Sequence, residues 1–334
     1  PARRGKAMLA NALLLATVLS SATVTDTGVK LPLIGKLDIG DATSGFIDLI
    51  VHGLPREHAH LAVYIPYDFI PEHAYNIFDT EACCRRPFKY HMGFLKNFLS
   101  LVCMPEDKST FEGMDQIIHA AIEAAYDLAE DSVSGKPKPY RKSENKTLDA
   151  VLDKLDVSFP RHASWWQVAD FFAERGDIRH ARMATQHAVP VIHDLLEAIQ
   201  EDRVWGNYGT NTPTAGQEKG LEIFRRYITS FIDKYPTLNK PTRLDLGDAR
   251  IVALDIHRVA PEGAANERQT ELMYLMGFQI ISRNFFLDPE DAEQAPECVR
   301  SIHRERFREF RESFKRLECD EFQRNVKAPF IRQQ

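Results

Sequence analysis

The sequence predicts an α/β fold interrupted by a large all-helical insertion. Three observations lead to this fold class. Apolar segments typical of strands alternate with helix-like segments early in the chain, residues 111–235 are apolar at helical spacing almost throughout, and a strand pattern returns at residues 250–256. We therefore predict an α/β core in two parts, at residues 1–104 and 236–334, around an insertion at residues 105–235.

The first part of the core is predicted to alternate helices with strands. Its strands are short apolar runs bounded by Gly, Pro or Asp, and its helices are longer apolar segments. In order, we predict a buried helix at 7–19, a strand at 33–39, a helix at 46–51, a strand at 61–65 that Pro66 stops, and a helix at 94–102.

The middle of the chain carries helical periodicity and no strand pattern. A polar segment that contains two prolines is predicted to be an exposed linker at residues 131–146. The predicted helices are 117–128, 165–176 with Ser164 as its N-cap, 180–200 with a bend near Pro190, and 221–232.

The second part of the core returns to mixed character. The strand at 250–256 has Asp255 near its end and is the most apolar strand pattern in this part. The elements predicted after it are a long helix at 271–286, a strongly charged helix at 299–313 and a marginal strand at 314–320.

Composition excludes several classes of protein. The chain has 334 residues, 44% hydrophobic and 27% charged, which is typical of a globular protein and not of a disordered, collagen-like or coiled-coil chain. Lys and Arg number 42 against 48 Asp and Glu, so the net charge of −6 does not point to nucleic acid. No apolar run reaches the roughly 18 residues that a membrane-spanning helix needs. Five irregularly spaced cysteines indicate a reducing compartment and no disulfide framework.

The N-terminal segment has two interpretations, of which the first is a secretory signal. Arg3, Arg4 and Lys6 form a basic start, an apolar run follows at residues 8–19, and small residues come next at 20–22. This order is typical of signal peptides. It would make the chain a secreted helical protein.

The second interpretation is a phosphate-binding loop that opens a helix. The motif is G-x-x-x-x-G-K-[ST], in which Gly5 and Lys6 match the second glycine and the lysine, while Ala7 stands at the hydroxyl position. The first glycine of the motif would precede Pro1. In such a site the backbone amides wrap phosphate oxygens, the lysine reaches the outer phosphates and the hydroxyl binds Mg²⁺.

Acidic residues follow several of the predicted strands. Asp320 and Glu321 follow the marginal strand, which suits a Mg²⁺-holding aspartate and a glutamate that activates water, or else a solvated acidic turn. Asp38 and Asp255 end better-formed strands. Ligands collect at the carboxyl ends of parallel strands, so these two residues either face a ligand or cap the turns that follow them.

Other chemically notable residues favour structural roles. The aromatic pairs at 165–166 and 171–172 are expected in the core of the helical part. The basic run in residues 300–316 alternates with glutamates and indicates a solvated helix, or alternatively an arginine that faces a subunit or a phosphate. Metal binding is not favoured, because the spacings typical of metal ligands do not occur among Cys83, Cys84, His58, His60 and His91.

Several segments, taken in order over most of the chain, carry a family resemblance. They are GKAMLANALLLA (5–16), LDIG (37–40), AYNIFDT (74–80), FLKNFL (94–99), SWWQVADFF (164–172), HAVPVIHDLL (187–196), YPTLNKPTRLDLGDARIVALDI (235–256) and RLECDEFQR (316–324). In this order they resemble the IcmB/DotO family of type IV secretion ATPases, of the Dot/Icm subclass, and its conjugation relative TraU.

The resemblance implies a RecA-like P-loop NTPase domain with a large all-helical insertion. It implies a motor subunit that binds and hydrolyses ATP with Mg²⁺ to energise export or conjugative transfer. Lys6 and Glu321 would be catalytic, and Asp320 would hold the metal. The nucleotide-binding residues that it implies are Gly5, Lys6, Ala7 and Met8.

The resemblance also implies a cellular setting. We expect a cytoplasmic protein, peripherally associated with the inner membrane and assembled as a homo-oligomer in the form of a hexameric ring. Its expected partners are other secretion-system ATPases and inner-membrane channel components, and direct nucleic-acid binding is not indicated.

The chain departs from the family pattern at the site itself. Ala7 replaces Ser or Thr, Glu318 interrupts a strand that is usually apolar, and His257 and Arg258 stand where the family has acidic residues. Ala7 favours an alternative hypothesis. In it the chain is a degenerate subunit that binds nucleotide with little or no hydrolysis and acts as a scaffold for other ATPases.

Overall fold

The structure is a computed structural model that describes residues 2–21, 23–25, 28–39, 43–105, 112–132, 135–210, 218–261, 263 and 266–319. In chain order, the helices and strands of these residues are α1 Ala2–Ser21, β1 Thr23–Thr25, β2 Gly28–Lys30, β3 Leu33–Asp38, α2 Ser44–Gly53, β4 Ala62–Pro66, α3 Lys89–Val102, α4 Met114–Ala129, α5 Lys146–Lys154, α6 Trp165–Ala173, α7 Ile178–Ala188, α8 Asp194–Ala198, α9 Asp202–Tyr208, α10 Gly220–Lys234, β5 Ile251–Asp255, α11 Glu267–Ser282, α12 Glu297–Glu312 and β6 Lys315–Cys319.

The chain divides into two compact units. The first, here the sheet unit, comprises Pro1–Phe69, Leu244–Asp288 and Arg306–Gln334, and the second, the helical unit, comprises Ile70–Arg243 and Pro289–Glu305. The helical unit thus begins well before residue 105, where the predicted insertion begins. One reason is that α3 belongs to its core, since the ring of Phe98 packs edge-on against Phe231 of α10 at 5.8 Å between centroids. The boundaries of a motor domain at 104 and 235 stay a prediction.

The sheet unit is built on a parallel sheet of four strands in the order β4-β5-β3-β6. All four strands were predicted, including the marginal β6, so the α/β class is confirmed. The buried residues of β3 and β5 are aligned so that Asp38 lies opposite Asp255. β1 and β2 form a small antiparallel pair that the sequence did not predict.

Helices cover both faces of this sheet, as near-continuous apolar strands require. On one face Leu14 of α1 and Ile47 of α2 share a buried cluster with Ile34 and Ile251. On the other face α11 approaches closely, because a Cβ added to Gly35 would stand 2.9 Å from the Ile281 carbonyl oxygen. The sheet unit is therefore a three-layer α/β/α arrangement.

The helix α1 is exposed along one side, so the prediction of a fully buried helix was wrong. Leu14 and Val18 are buried, whereas Leu9 and Leu19 are mostly exposed. The alternation arises because α1 lies on the surface of the sheet and presents only one face to it.

The helical unit confirms the helical periodicity of the middle of the chain. Among the described residues between 112 and 234 there are helices α4 to α10 and no strand. Ser164 caps α6 as predicted: its hydroxyl accepts a hydrogen bond from the Gln167 amide, and the Gln167 side chain returns a bond to the Ser164 amide.

One prediction for the helical unit needs correction. The predicted helix at 180–200 is two helices, since α7 ends at Ala188 and α8 begins only at Asp194; Pro190 lies between them, where its ring excludes helix continuation. The described residues of the predicted linker at 131–146 are exposed or half-buried, and the segment is also tied down, because the Tyr140 amide donates to the Ala163 carbonyl at 2.8 Å.

His187 in the helical unit is a largely buried histidine that packs against an aromatic ring. Its ring stacks on Trp165 at 4.3 Å between centroids, and its Nε2 lies 3.2 Å from the Asn145 side-chain nitrogen. Burial lowers the pKa of His187 to about 4, and the positive charges of Lys138 and Arg243 act in the same direction. The side chain therefore favours the uncharged form in the folded state.

We expect His187 to make the helical unit less stable at acid pH. The pKa is about 4 in the folded protein against 6.5 for an ordinary histidine, so the unfolded chain binds the proton first. The stabilisation is complete above pH 6.5 and is lost as pH falls toward 4, by on the order of 2–3 kcal/mol. Urea unfolding at several pH values between 4 and 6.5 measures this change in the free energy of unfolding. His187→Gln should flatten the pH dependence and the exposed His162→Gln should not; equal slopes in both variants would contradict the assignment.

Candidate functional site

Two buried aspartates end adjacent strands at the carboxyl edge of the parallel sheet. Asp38 ends β3 and Asp255 ends β5, opposite each other in register. Both are almost fully buried, at 3% and 6% exposure. Side chains alternate along a strand, so Asp38 projects from the same face of β3 as Lys36. In open parallel sheets this edge is where ligands bind.

Both aspartates also order the turns that follow their strands. One oxygen of Asp38 accepts a hydrogen bond from the Ile39 amide at 2.9 Å, and the other accepts one from the hydroxyl of Thr43, directly before α2. Asp255 accepts from the His257 amide at 2.9 Å and from the Tyr64 hydroxyl at 3.2 Å. Asp38 and Asp255 therefore cap the turns that follow their strands, as one of the two sequence interpretations expects, and these bonds fix the loops at the edge of the sheet.

The helix α1 runs antiparallel to the strands and starts at the same edge. Lys36 Nζ donates to Asn11 Oδ1 at 2.7 Å. Six residues later along α1, the Thr17 hydroxyl accepts a hydrogen bond from Arg316. Arg316 pairs with Ile34 of β3, which lies two residues before Lys36 and therefore nearer the amino end of the strand. The contacts thus move toward the amino ends of the strands as α1 proceeds.

This orientation brings the first turns of α1 level with the strand ends. Lys6 lies five residues before Asn11, or about 7.5 Å along the helix axis. Asp38 lies two residues beyond Lys36, or about 6.6 Å along the strand. The N-terminal turns of α1 therefore project to the carboxyl edge, where a helix start with its unpaired amides favours anions.

The predicted phosphate-binding residues lie within α1. The helix begins at Ala2, so Gly5, Lys6 and Ala7 belong to its first two turns. The side chains of these three residues lie outside the described part of the structure, and the side chain of Met8 is 73% exposed. Their role in nucleotide binding stays a prediction.

The predicted acidic pair lies outside the described residues. β6 ends at Cys319, directly before Asp320 in the sequence, and it pairs with β3 in parallel. Asp320 and Glu321 themselves are not described, and neither is their distance from Lys6. The helix α1 lies on one face of the sheet and contacts β6 there through the hydrogen bond from Arg316 to Thr17, and the roles of the two carboxylates stay predictions.

The charged residues of β6 have defined partners, although they made the strand marginal in the sequence. Glu318 Oε1 lies 3.4 Å from Lys36 Nζ, at the same register on β3. Lys315 Nζ donates to the Phe285 carbonyl at 2.7 Å. Sequence analysis did not single out Lys36. The signal was available, because a lysine within the apolar run LIGKLDI needs a partner and an opposite charge interrupts the other strand.

The thiol of Cys319 stays protonated at the end of β6. Burial raises its pKa to about 12, and the negative charge of Glu318 acts in the same direction. A thiol with such a pKa is a poor nucleophile and a poor metal ligand at neutral pH. Cys319 is therefore a poor candidate for a nucleophile or a metal ligand at this edge.

The groups at this edge that could meet a ligand are the carboxylates of Asp38 and Asp255 and the start of α1. Carboxylate oxygens and water are the ligands that Mg²⁺ prefers, and a helix start suits phosphate. Within the described residues no group of three or more His, Cys, Asp or Glu side chains could hold a metal ion by itself. Among those residues there is also no helix with the length and apolarity to cross a membrane.

Comparison with known proteins finds similarity to solved structures and not to curated sequences. No protein-family model and no curated protein matches the sequence. The chain is similar to the structure of VirB4 of Thermoanaerobacter pseudethanolicus, with a TM-score of 0.45 and 12% sequence identity over 98% of this chain and 69% of that one.

Proposed function

We propose that this chain is an ATP-binding and ATP-hydrolysing motor subunit with a RecA-like P-loop domain. One observation carries the proposal. The start of α1, which bears the Gly5-Lys6 pair, projects to the carboxyl edge of the parallel sheet, and the neighbouring strand β6 leads in sequence into Asp320-Glu321. A phosphate-binding helix start beside an acidic strand end is the arrangement that phosphoryl transfer requires.

Each residue of the proposed site has a separate task. The Lys6 ammonium and the amides at the start of α1 hold the β- and γ-phosphates. Asp320 would hold Mg²⁺ through water molecules. Glu321 takes a proton from the attacking water as its oxygen bonds to the γ-phosphorus, while the bond to the β–γ bridging oxygen breaks and ADP leaves. Magnesium, when bound, neutralises the negative charge on the phosphate oxygens.

The resemblance to the IcmB/DotO family supports a finer proposal. The motor would serve a type IV secretion or conjugation system of the Dot/Icm type and energise substrate export. It would act as a hexameric ring in the cytoplasm, at the inner face of the inner membrane. Its partners would be other secretion-system ATPases and components of the membrane channel.

The alternative candidate is a scaffold subunit that binds nucleotide without appreciable turnover. The observation that favours it is Ala7, which supplies no hydroxyl to the metal. Mg²⁺-dependent ATP turnover by the full-length protein separates the two candidates. Turnover that disappears with EDTA supports the motor, and tight ATP binding without turnover supports the scaffold.

Introducing a hydroxyl at position 7 also distinguishes the motor from the scaffold. In the motor, water fills the coordination position that Ala7 leaves open, because Mg²⁺ keeps several waters in most sites. We expect Ala7→Ser to lower the Mg²⁺ concentration for half-maximal turnover or to raise turnover by a few-fold. Ala7→Val is the control for added bulk, since it enlarges the side chain without a hydroxyl. Negligible turnover in wild type, Ala7→Ser and Ala7→Val alike would favour the scaffold.

A further inference from the structure

A partly buried ion pair ties together the three elements that meet at the proposed site. Lys36 in β3 lies opposite Glu318 in β6, with 3.4 Å between Nζ and Oε1. The same Nζ donates to Asn11 of α1 at 2.7 Å. The side chains of Lys36 and Glu318 are only 4% and 22% exposed. One ammonium group thus connects the helix, the central strand and the strand that precedes the acidic pair.

A second contact ties β6 directly to α1. Arg316 donates to the Thr17 hydroxyl at 2.9 Å, and its guanidinium also lies 3.9 Å from Glu318. Arg316 and Glu318 are two residues apart and therefore face the same side of β6, toward α1. The interface between α1 and β6 is polar for this reason, although the cluster beside it at Leu14 and Ile34 is apolar.

This network is not needed for stability alone. Apolar side chains of similar volume would fill the space at lower cost, since burying charges is penalised even when they are paired. Directional bonds have a different effect: they allow one register of α1, β3 and β6 and disfavour others. The register matters here because Glu318 lies two residues before Asp320.

We propose that Lys36 and Glu318 are positioning residues that hold the end of β6 in a fixed place relative to the start of α1. The inference rests on the proposed function, in which those two chain segments carry the opposite halves of the nucleotide site. A displacement of about 1 Å between catalytic groups costs as much as 100-fold in rate. The pair acts through the acidic residues and touches no substrate.

The test uses the full-length protein with Lys36→Met and Glu318→Met combined. The double variant removes both charges of the pair, and Arg316 keeps its hydrogen bond to Thr17 and is 31% exposed, so the urea midpoint should stay close to that of wild type. We expect kcat for ATP to fall at least about 10-fold while the dissociation constant of a non-hydrolysable ATP analogue changes less than about 3-fold. Lys315→Met is the matched control on the other end of β6, and its kcat should stay at the wild-type value.

Amide hydrogen exchange gives a readout that does not depend on turnover. In the double variant, residues 315–319 should exchange at least about 5-fold faster than in wild type at unchanged global stability. A wild-type kcat in this variant, or wild-type exchange of β6, overturns the positioning role. Absence of ATP turnover in the wild-type protein would contradict the proposed function instead. The hydrogen-exchange measurement would then be the only test of whether Lys36 and Glu318 hold β6 in place.

Discussion

Lys6→Ala is expected to reduce ATP affinity by about 30-fold or more and to remove turnover, with the fold intact. The lysine charge is proposed to contact the outer phosphates, and hydrogen bonds to charged groups contribute about 1.5–3 kcal/mol each, with more where a charge is left unpaired. Isothermal titration with Mg²⁺-ATP measures the affinity, and far-ultraviolet circular dichroism monitors the fold. Lys30→Ala is the control, because Lys30 ends β2 and lies shortly before the amino end of β3.

Wild-type affinity in the Lys6→Ala protein would reject the start of α1 as a phosphate site. It would leave the secretory-signal interpretation of the same segment standing. A loss of affinity in both lysine variants would indicate general electrostatic attraction and not a site, and the salt dependence of binding would then confirm that.

Glu321→Gln is expected to lower kcat by roughly 100- to 10,000-fold and to leave ATP affinity within about 3-fold of wild type. A glutamine keeps the size of the side chain but cannot take the proton from water, so only the chemical step is affected. Single-turnover hydrolysis and equilibrium binding measure the two quantities separately. Glu312→Gln is the control, because Glu312 is an exposed glutamate at the end of α12.

Unchanged turnover in Glu321→Gln would remove this residue as the base. A parallel fall of turnover and affinity would instead make it a part of metal or nucleotide binding. Asp38 would then be the next residue to test, since it ends β3 between β5 and β6.

The strands of the sheet unit were predictable because burial on two faces makes them nearly continuous apolar runs. All residues of β3 and β5 are buried, and these strands were recognised in the sequence as apolar runs. β6 was harder, since all its residues are only partly buried and two of its charges needed partners on other elements. The β1–β2 pair was missed because strands of three residues carry too little pattern to detect.

The strand order was beyond prediction from local pattern. β5 lies between β3 and β4, although more than 180 residues separate it from β4 in sequence. Such pairings depend on long-range packing that spacing alone does not encode. The same holds for the Lys36–Glu318 pair, whose partners are visible as isolated charges in the sequence but whose contact depends on which strands are neighbours.

The two sequence motifs of the candidate site were recognised from the sequence, whereas the contacts among α1, β3 and β6 that would bring them together were not. Gly5-Lys6 and Asp320-Glu321 are local signals, and the strand-end aspartates Asp38 and Asp255 follow apolar runs. The antiparallel direction of α1 across the sheet could not be deduced, because it depends on which face of the helix meets which strand. That direction is the physical reason for connecting the two ends of the chain in one site.

A structure of the full-length protein with Mg²⁺ and a non-hydrolysable ATP analogue tests the central claim most directly. We expect Lys6 Nζ within about 3 Å of a β- or γ-phosphate oxygen, as in a charge-assisted hydrogen bond, and the Asp320 carboxylate within about 10 Å of Lys6. An analogue bound elsewhere, or Lys6 and Asp320 on opposite faces of the sheet, would contradict the account.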